Sequence, residues 1–137
     1  MEGARLASMD LRGARMRNAN IAGGDLRGAQ LGGADLAYTN LVGAQMTATQ
    51  LGQAALVGAN MRNAQLVNAD LKSANMAYAI LQGANLSGAN LTNADLVNAD
   101  LQDAELSGAV LEGVKLDNAI WVNGQPCMQG SVGECRQ

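Results

Sequence analysis

Residues 84–101 run ANLSGANLTNADLVNADL, and their reading decides the fold. Leu86, Leu91, Leu96 and Leu101 recur every five residues, each two places after an Ala (Ala84, Ala89, Ala94, Ala99). Extended in both directions, the period holds from residue 6 to residue 116. All 23 centre positions carry Leu, Met or Ile: Met at 16, 46, 61 and 76, Ile at 21, and Leu elsewhere. The position two before the centre is Ala at 18 of the 23, with Met9, Gly24, Thr39, Thr49 and Val114 as exceptions. Asp, Asn or Gln often stands between the two, as in Asp35, Asn60, Asn85 and Asp95. No insertion breaks the frame.

Internal repetition of this regularity governs the whole architecture. On an α-helix five residues advance the side chain by ~140°, so the Leu set would smear around the cylinder. On a flat strand an odd period would send successive Leu residues to opposite faces. A chain that turns a corner every five residues keeps both Leu and Ala inside. Gly13, Gly28, Gly43, Gly58, Asn63, Asn68, Gly83, Gly88 and Asn98 stand at the corners of that scheme, and Gly and Asn tolerate turn conformations.

The unit A-[D/N]-L-x-x resembles the repeat of the pentapeptide repeat protein family, over residues 4–120. The resemblance implies an all-β fold: a right-handed quadrilateral parallel β-helix, four pentapeptides to a coil, just under six coils with a short C-terminal cap. At ~4.8 Å per parallel step the rod would be roughly 28 Å long. Ala suits the narrow cross-section, where a larger residue would overpack it. Each coil depends on its neighbours for stability, as in other solenoids. Met9 and Val114 are expected at the coil ends, where one neighbour is missing.

The repeat ends at Trp121, so residues 1–121 are read as the β-helix and 122–137 as a capping tail. Trp121, Val122, Met128 and Val132 are the apolar residues available to cover the last coil, whose bare edges would invite aggregation. Cys127 and Cys135 lie eight apart across a turn containing Gly. A structural disulfide is the preferred reading; free thiols, or a catalytic or metal role, remain as alternatives. Two cysteines without CxxC and without His are too few for a structural zinc. The first coil, with no comparable cap, is a candidate surface for self-association.

The composition excludes much chemistry. Aromatic residues are Tyr38, Tyr78 and Trp121 alone, and His is absent. Ser8, Ser73, Ser87, Ser107 and Ser131 have no base partner in the pattern. A regular rod offers no concave pocket. The chain is therefore read as a non-enzyme without cofactor or metal. The formal charge is −3, with no basic stripe for nucleic acid. It is polarised, at +2 over residues 1–34, zero over 35–84 and −5 over 85–137. No apolar run reaches the ~18 residues of a membrane span. MEGARLASMD lacks the apolar core of a signal peptide, which points to the cytoplasm. If the disulfide forms and a leader has been removed, the periplasm or a thylakoid lumen is expected instead.

Four-fold winding, implied by the resemblance, places residues twenty apart in one column. Tyr38, Tyr78, Ile80 and Ile120 then gather at one corner, a candidate partner contact. Asn20, Asn40 and Asn60 form an amide ladder of structural purpose. Asp95, Asp100, Asp103, Glu105, Glu112 and Asp117 form a candidate acidic end. The favoured function is a protein-interaction or scaffold module, with a protein partner or a homo-oligomer through a coil end. The alternative is a DNA mimic that binds DNA gyrase, as the resemblance implies for quinolone-resistance members. A mimic ~28 Å long would need roughly 16 net negative charges, at one per ~1.7 Å of duplex.

Overall fold

The computed structural model describes all of residues 1–137. Each five-residue unit is a tight turn followed by one paired residue. The N–H of Ala29 donates to the carbonyl of Leu26 and that of Ala34 to Leu31, both at 3.0 Å, closing four-residue turns. The third residue of every such turn, at all 24 positions from 3 to 118, has a left-handed backbone with φ between +55° and +70°. That is the type II pattern, which favours Gly or Asn there. Eleven of these positions are Gly and six are Asn; Tyr38, Tyr78, Ala48, Gln53, Asp103 and two serines fill the rest.

Residues twenty apart pair in parallel, building four ladders. They run Arg5–Asp25–Gln45–Gln65–Asn85–Glu105, Asp10–Gln30–Gln50–Asp70–Asn90–Val110, Arg15–Asp35–Ala55–Asn75–Asp95–Lys115 and Asn20–Asn40–Asn60–Ile80–Asp100–Ile120. The chain turns four corners and returns one coil on: a quadrilateral β-helix. Its sides are not strands. A turn occupies four of every five residues, so each side contributes a single bridged residue, and the sheet exists only between coils.

The polar residue of the repeat has a backbone purpose. In the unit around Leu26, the N–H groups of Leu26 and Gly28 donate to Gln45 and Thr47 of the next coil, that of Ala29 closes the turn, and that of Gln30 reaches back to Met9. Only the N–H of Arg27 has no backbone acceptor, and it donates to Asp25 Oδ1 at 3.2 Å. The same bond joins Val42 to Asn40, Thr92 to Asn90 and Val97 to Asp95. A short side-chain acceptor two residues upstream satisfies the one donor that winding leaves over.

The centre residues from Ile21 to Leu101 are fully buried, and the Ala positions between them are closed to within a few per cent. Thr39 and Thr49 replace Ala without an orphaned hydroxyl. Thr39 Oγ1 donates to the carbonyl of Leu36 at 2.6 Å and Thr49 Oγ1 to that of Leu26 at 2.8 Å. Gly24 is explained by its neighbour. A Cβ there would lie 2.7 Å from Cγ2 of Ile21, the one β-branched centre residue.

Residues 122–137 fold back on the last coil. Val132 pairs antiparallel with Lys115, and Pro126 with Ile120. The N–H of Cys127 donates to Ala119, that of Leu116 to Ser131 and that of Gly133 to Val114. Cys127 and Cys135 form a disulfide. The inward residues are Cys127 and Ser131, with Trp121, Val122 and Cys135 half-buried. Met128 and Val132, expected inside, are 53% and 58% exposed. The antiparallel pairing turns alternate tail side chains outward, so it is Ser131, not Val132, that lies against the coil. Val114 also differs from expectation: the tail buries it completely, whereas Met9 at the other end is 46% exposed.

Candidate functional site

The surface holds no pocket and no group of three or more His, Cys, Asp or Glu able to share a metal ion. In each unit the residue after the centre stands at the corner, exposed or half-buried except for Ala37 at 2%, and three of the four corners mix polar with small or aliphatic residues there. They read Ala22, Val42, Arg62, Gln82, Gln102; Arg27, Thr47, Val67, Ser87, Ser107; and Arg12, Gly32, Gly52, Lys72, Thr92, Glu112. The fourth corner reads Arg17, Ala37, Val57, Ala77, Val97, Asp117. Four successive coils there show only aliphatic side chains, with a cation at one end and an anion at the other.

The turn positions beside this column carry Tyr38 and Tyr78, 54% and 62% exposed. Their φ values are +58° and +61°. A bulky residue in the left-handed region is strained by roughly 1–3 kcal/mol, and such strain concentrates at functional sites. The fold offers Gly or Asn for this position and uses them at Gly58 and Asn98. The Tyr38 ring packs against Gly58: a Cβ on Gly58 would sit 2.6 Å from its Cε1. The Arg17 guanidinium stands 4.9 Å from the centroid of the Tyr38 ring, with Asp35 3.9 Å from the same group.

Ile80 belongs to this edge, half-buried two residues beyond Tyr78. Ile120 stands apart. It is two rungs further along the ladder, with Asp100 between, and Pro126 of the tail pairs with it. Of the four residues expected together, Tyr38, Tyr78 and Ile80 lie along one stretch of the rod, and next to them stand the half-buried Val57, Ala77 and Val97, which the sequence reading did not single out. Small apolar residues are common in this chain, and their alignment shows only once residues are stacked at intervals of twenty.

The six acidic residues are spread over all four sides. Asp95 and Asp100 accept the N–H groups of Val97 and Gln102, and Asp100 also accepts Gln82 Nε2 at 2.5 Å. Glu105 accepts the N–H and hydroxyl of Ser107, which lower its pKa. Asp117 Oδ1 takes the Gly130 N–H at 2.6 Å. Asp103 and Glu112 are exposed. None of the six is in an ion pair; the pairs present are Arg12–Asp10, Arg17–Asp35 and Arg27–Asp25. Hydrogen bonds from Arg12 and Arg27 hold the Asp10 and Asp25 carboxyls at a pKa of about 2.

Residues 1–36, 14–53, 25–63, 54–93 and 84–120 match the family model described as pentapeptide repeats. No curated protein matches the chain. Among solved structures, it is similar to HetL, a pentapeptide repeat protein involved in heterocyst differentiation regulation in the cyanobacterium Nostoc sp. Strain PCC 7120. The two are 32% identical with a TM-score of 0.67, over 92% of this chain and 65% of HetL. It is also similar to a pentapeptide repeat protein of the Arabidopsis thaliana thylakoid lumen, at 31% identity and TM-score 0.57 over 68% of each chain. A third is a pentapeptide repeat protein of the cyanobacterium Cyanothece 51142, at 30% identity and TM-score 0.53, over 74% of this chain and 63% of the other. The chain thus spans about two thirds of the length of these relatives.

Proposed function

The chain belongs to the pentapeptide repeat family, and from that premise we propose that it is a non-catalytic interaction module: a nearly six-coil rod, capped by residues 122–137, that binds another protein along one edge. The observation that carries this reading is the edge itself. Tyr38 and Tyr78 occupy backbone positions that suit them poorly, beside an aliphatic column found at no other corner. Exposed aromatic residues on a rigid scaffold are the usual anchors of protein interfaces. The rod keeps them in fixed register, so little ordering entropy opposes binding.

The disulfide Cys127–Cys135 supports an oxidising compartment as the place of work, in keeping with the lumenal relative. The acidic end is too weakly charged for duplex mimicry. Residues 85–121 carry a net −5, distributed around the rod rather than along one groove-like path.

The test is retention of binding partners from a lysate of the source cell. Wild-type protein is compared with Tyr78→Asp/Ile80→Asp, both kept folded as judged by their melting curves. Loss of a specific partner in the double variant is the expected result. Retention of the same partners by both removes the edge from the reading. DNA gyrase supercoiling should proceed unchanged in the presence of the protein; inhibition would favour the acidic end instead.

A further inference from the structure

We propose that the occupant of the apolar edge is a second copy of this chain, lying antiparallel. The proposal rests on the interaction reading above and names its partner. The edge is complementary to itself when reversed. A two-fold axis midway between Val57 and Ala77 sets Arg17 opposite Asp117 of the second copy. The same operation sets Val57 opposite Ala77, both half-buried, and Val97 opposite the coil whose Ala37 is only 2% exposed. Each charge meets its opposite and Val57 meets Ala77, twice over, as an isologous interface requires. The Tyr pair follows: Tyr78 comes level with Val57 of the second copy, on the side of its Gly58 turn. Tyr38 comes level with Val97.

Parallel packing is opposed by charge. It would set Arg17 against Arg17 and Asp117 against Asp117, with like charges concentrated at each end of a chain that runs from +2 to −5. The end residues remain partly exposed, although Arg17 also pairs with Asp35 at 3.9 Å and lies 4.9 Å from the Tyr38 ring centroid. Arg17 is 53% exposed at its side chain, and Asp117, though bound to the Gly130 N–H, is in no ion pair.

An edge contact of this kind falls with transient interfaces below ~1,200 Å², so self-association is read by sedimentation up to about 1 mM protein. Wild type should dimerise. Val57→Arg should abolish the dimer. It leaves the rod intact, because Arg12, Arg17, Arg27 and Arg62 already occupy this position type. The decisive pair is Arg17→Asp and Asp117→Arg. Each alone should weaken association by about tenfold, since reversing an exposed ion pair at two symmetric places costs ~1 kcal/mol or more. A one-to-one mixture of the two should dimerise again, because every reversed contact then meets its opposite. Melting curves check that the Asp117→Arg tail remains folded.

A wild type that stays monomeric to about 1 mM overturns the second-copy assignment. A dimer unaffected by these substitutions overturns it equally, since the contact then lies elsewhere. So does a mixture that stays monomeric while both variants are folded. The interaction reading fails by a different measurement, the unchanged partner retention of Tyr78→Asp/Ile80→Asp.

Discussion

Replacing Gly24 by Ala tests how tightly the rod is packed, and the sign of the result depends on one neighbour. Ala is the standard residue at this position, and Gly24 has no left-handed backbone to excuse it. On backbone entropy alone, Gly24→Ala would stabilise by ~0.4–1 kcal/mol. The added Cβ, however, would stand 2.7 Å from Ile21 Cγ2 and 2.9 Å from the Ile21 carbonyl oxygen. Unstrained carbon pairs sit at ~3.5–4.0 Å. The carbonyl contact is tolerated, since equivalent turns carrying Ala close at 2.8 to 3.1 Å and this one at 2.9 Å. The γ2 methyl contact is not, because Ile21 is fully buried. Overpacking of this kind costs ~1–3 kcal/mol. Leu has no γ2 branch, so Ile21→Leu should restore the gain. The four proteins of this cycle are unfolded in urea, followed by far-UV circular dichroism and by Trp121 fluorescence. A coupling of ~1.5–4 kcal/mol is expected, well above the ~0.5 kcal/mol scatter of independent sites. Additive substitutions, or a Gly24→Ala variant more stable than wild type with Ile21 in place, would refute the packing argument.

Leu66→Ala should cost ~2–5 kcal/mol in the same urea titration, because Leu66 is fully buried in mid-rod and its ring cannot collapse. Tyr78→Asn should raise the melting temperature by relieving left-handed strain worth ~1 kcal/mol while weakening self-association, a trade that separates fold from function. Asp10 and Asp25 have depressed pKa values of about 2, so their contribution is complete above the unfolded carboxylate value of ~3.9 and is lost as pH falls towards 2. Arg12→Gln should raise the Asp10 pKa towards ordinary, followed by NMR titration. Reducing Cys127–Cys135 should loosen the tail by ~2.5 kcal/mol in the chain-entropy account, read as faster amide exchange at Cys127 and Leu116 with mid-rod amides unchanged.

Much of this molecule is local. The five-residue period, the inward Leu and Ala, and the Gly and Asn of the turns all follow from a turn geometry that each unit imposes on itself. They were legible from residues 84–101 alone. Tyr38, Tyr78 and Ile80 also stood out, as bulky residues where the repeat places small or polar ones. Ile120 belonged elsewhere because the tail pairs with it, and no periodicity reports what an irregular tail will do. The same holds for Ser131 facing inward in place of Val132.

The remaining features depend on what lies twenty residues away. The role of Asp and Asn as acceptors for a leftover N–H emerged only when the other four donors of each unit had been assigned, two of them to the coil ahead and one to the coil behind. The hydroxyl of Thr49 finds its acceptor on Leu26, 23 residues earlier. The aliphatic edge Ala37, Val57, Ala77 and Val97 is invisible along the chain, where these residues are ordinary. The repeat itself determined which side chains point out. Only the pairing of coils, fixed by inter-coil hydrogen bonds and the stacking of buried Leu, decided which outward side chains are neighbours.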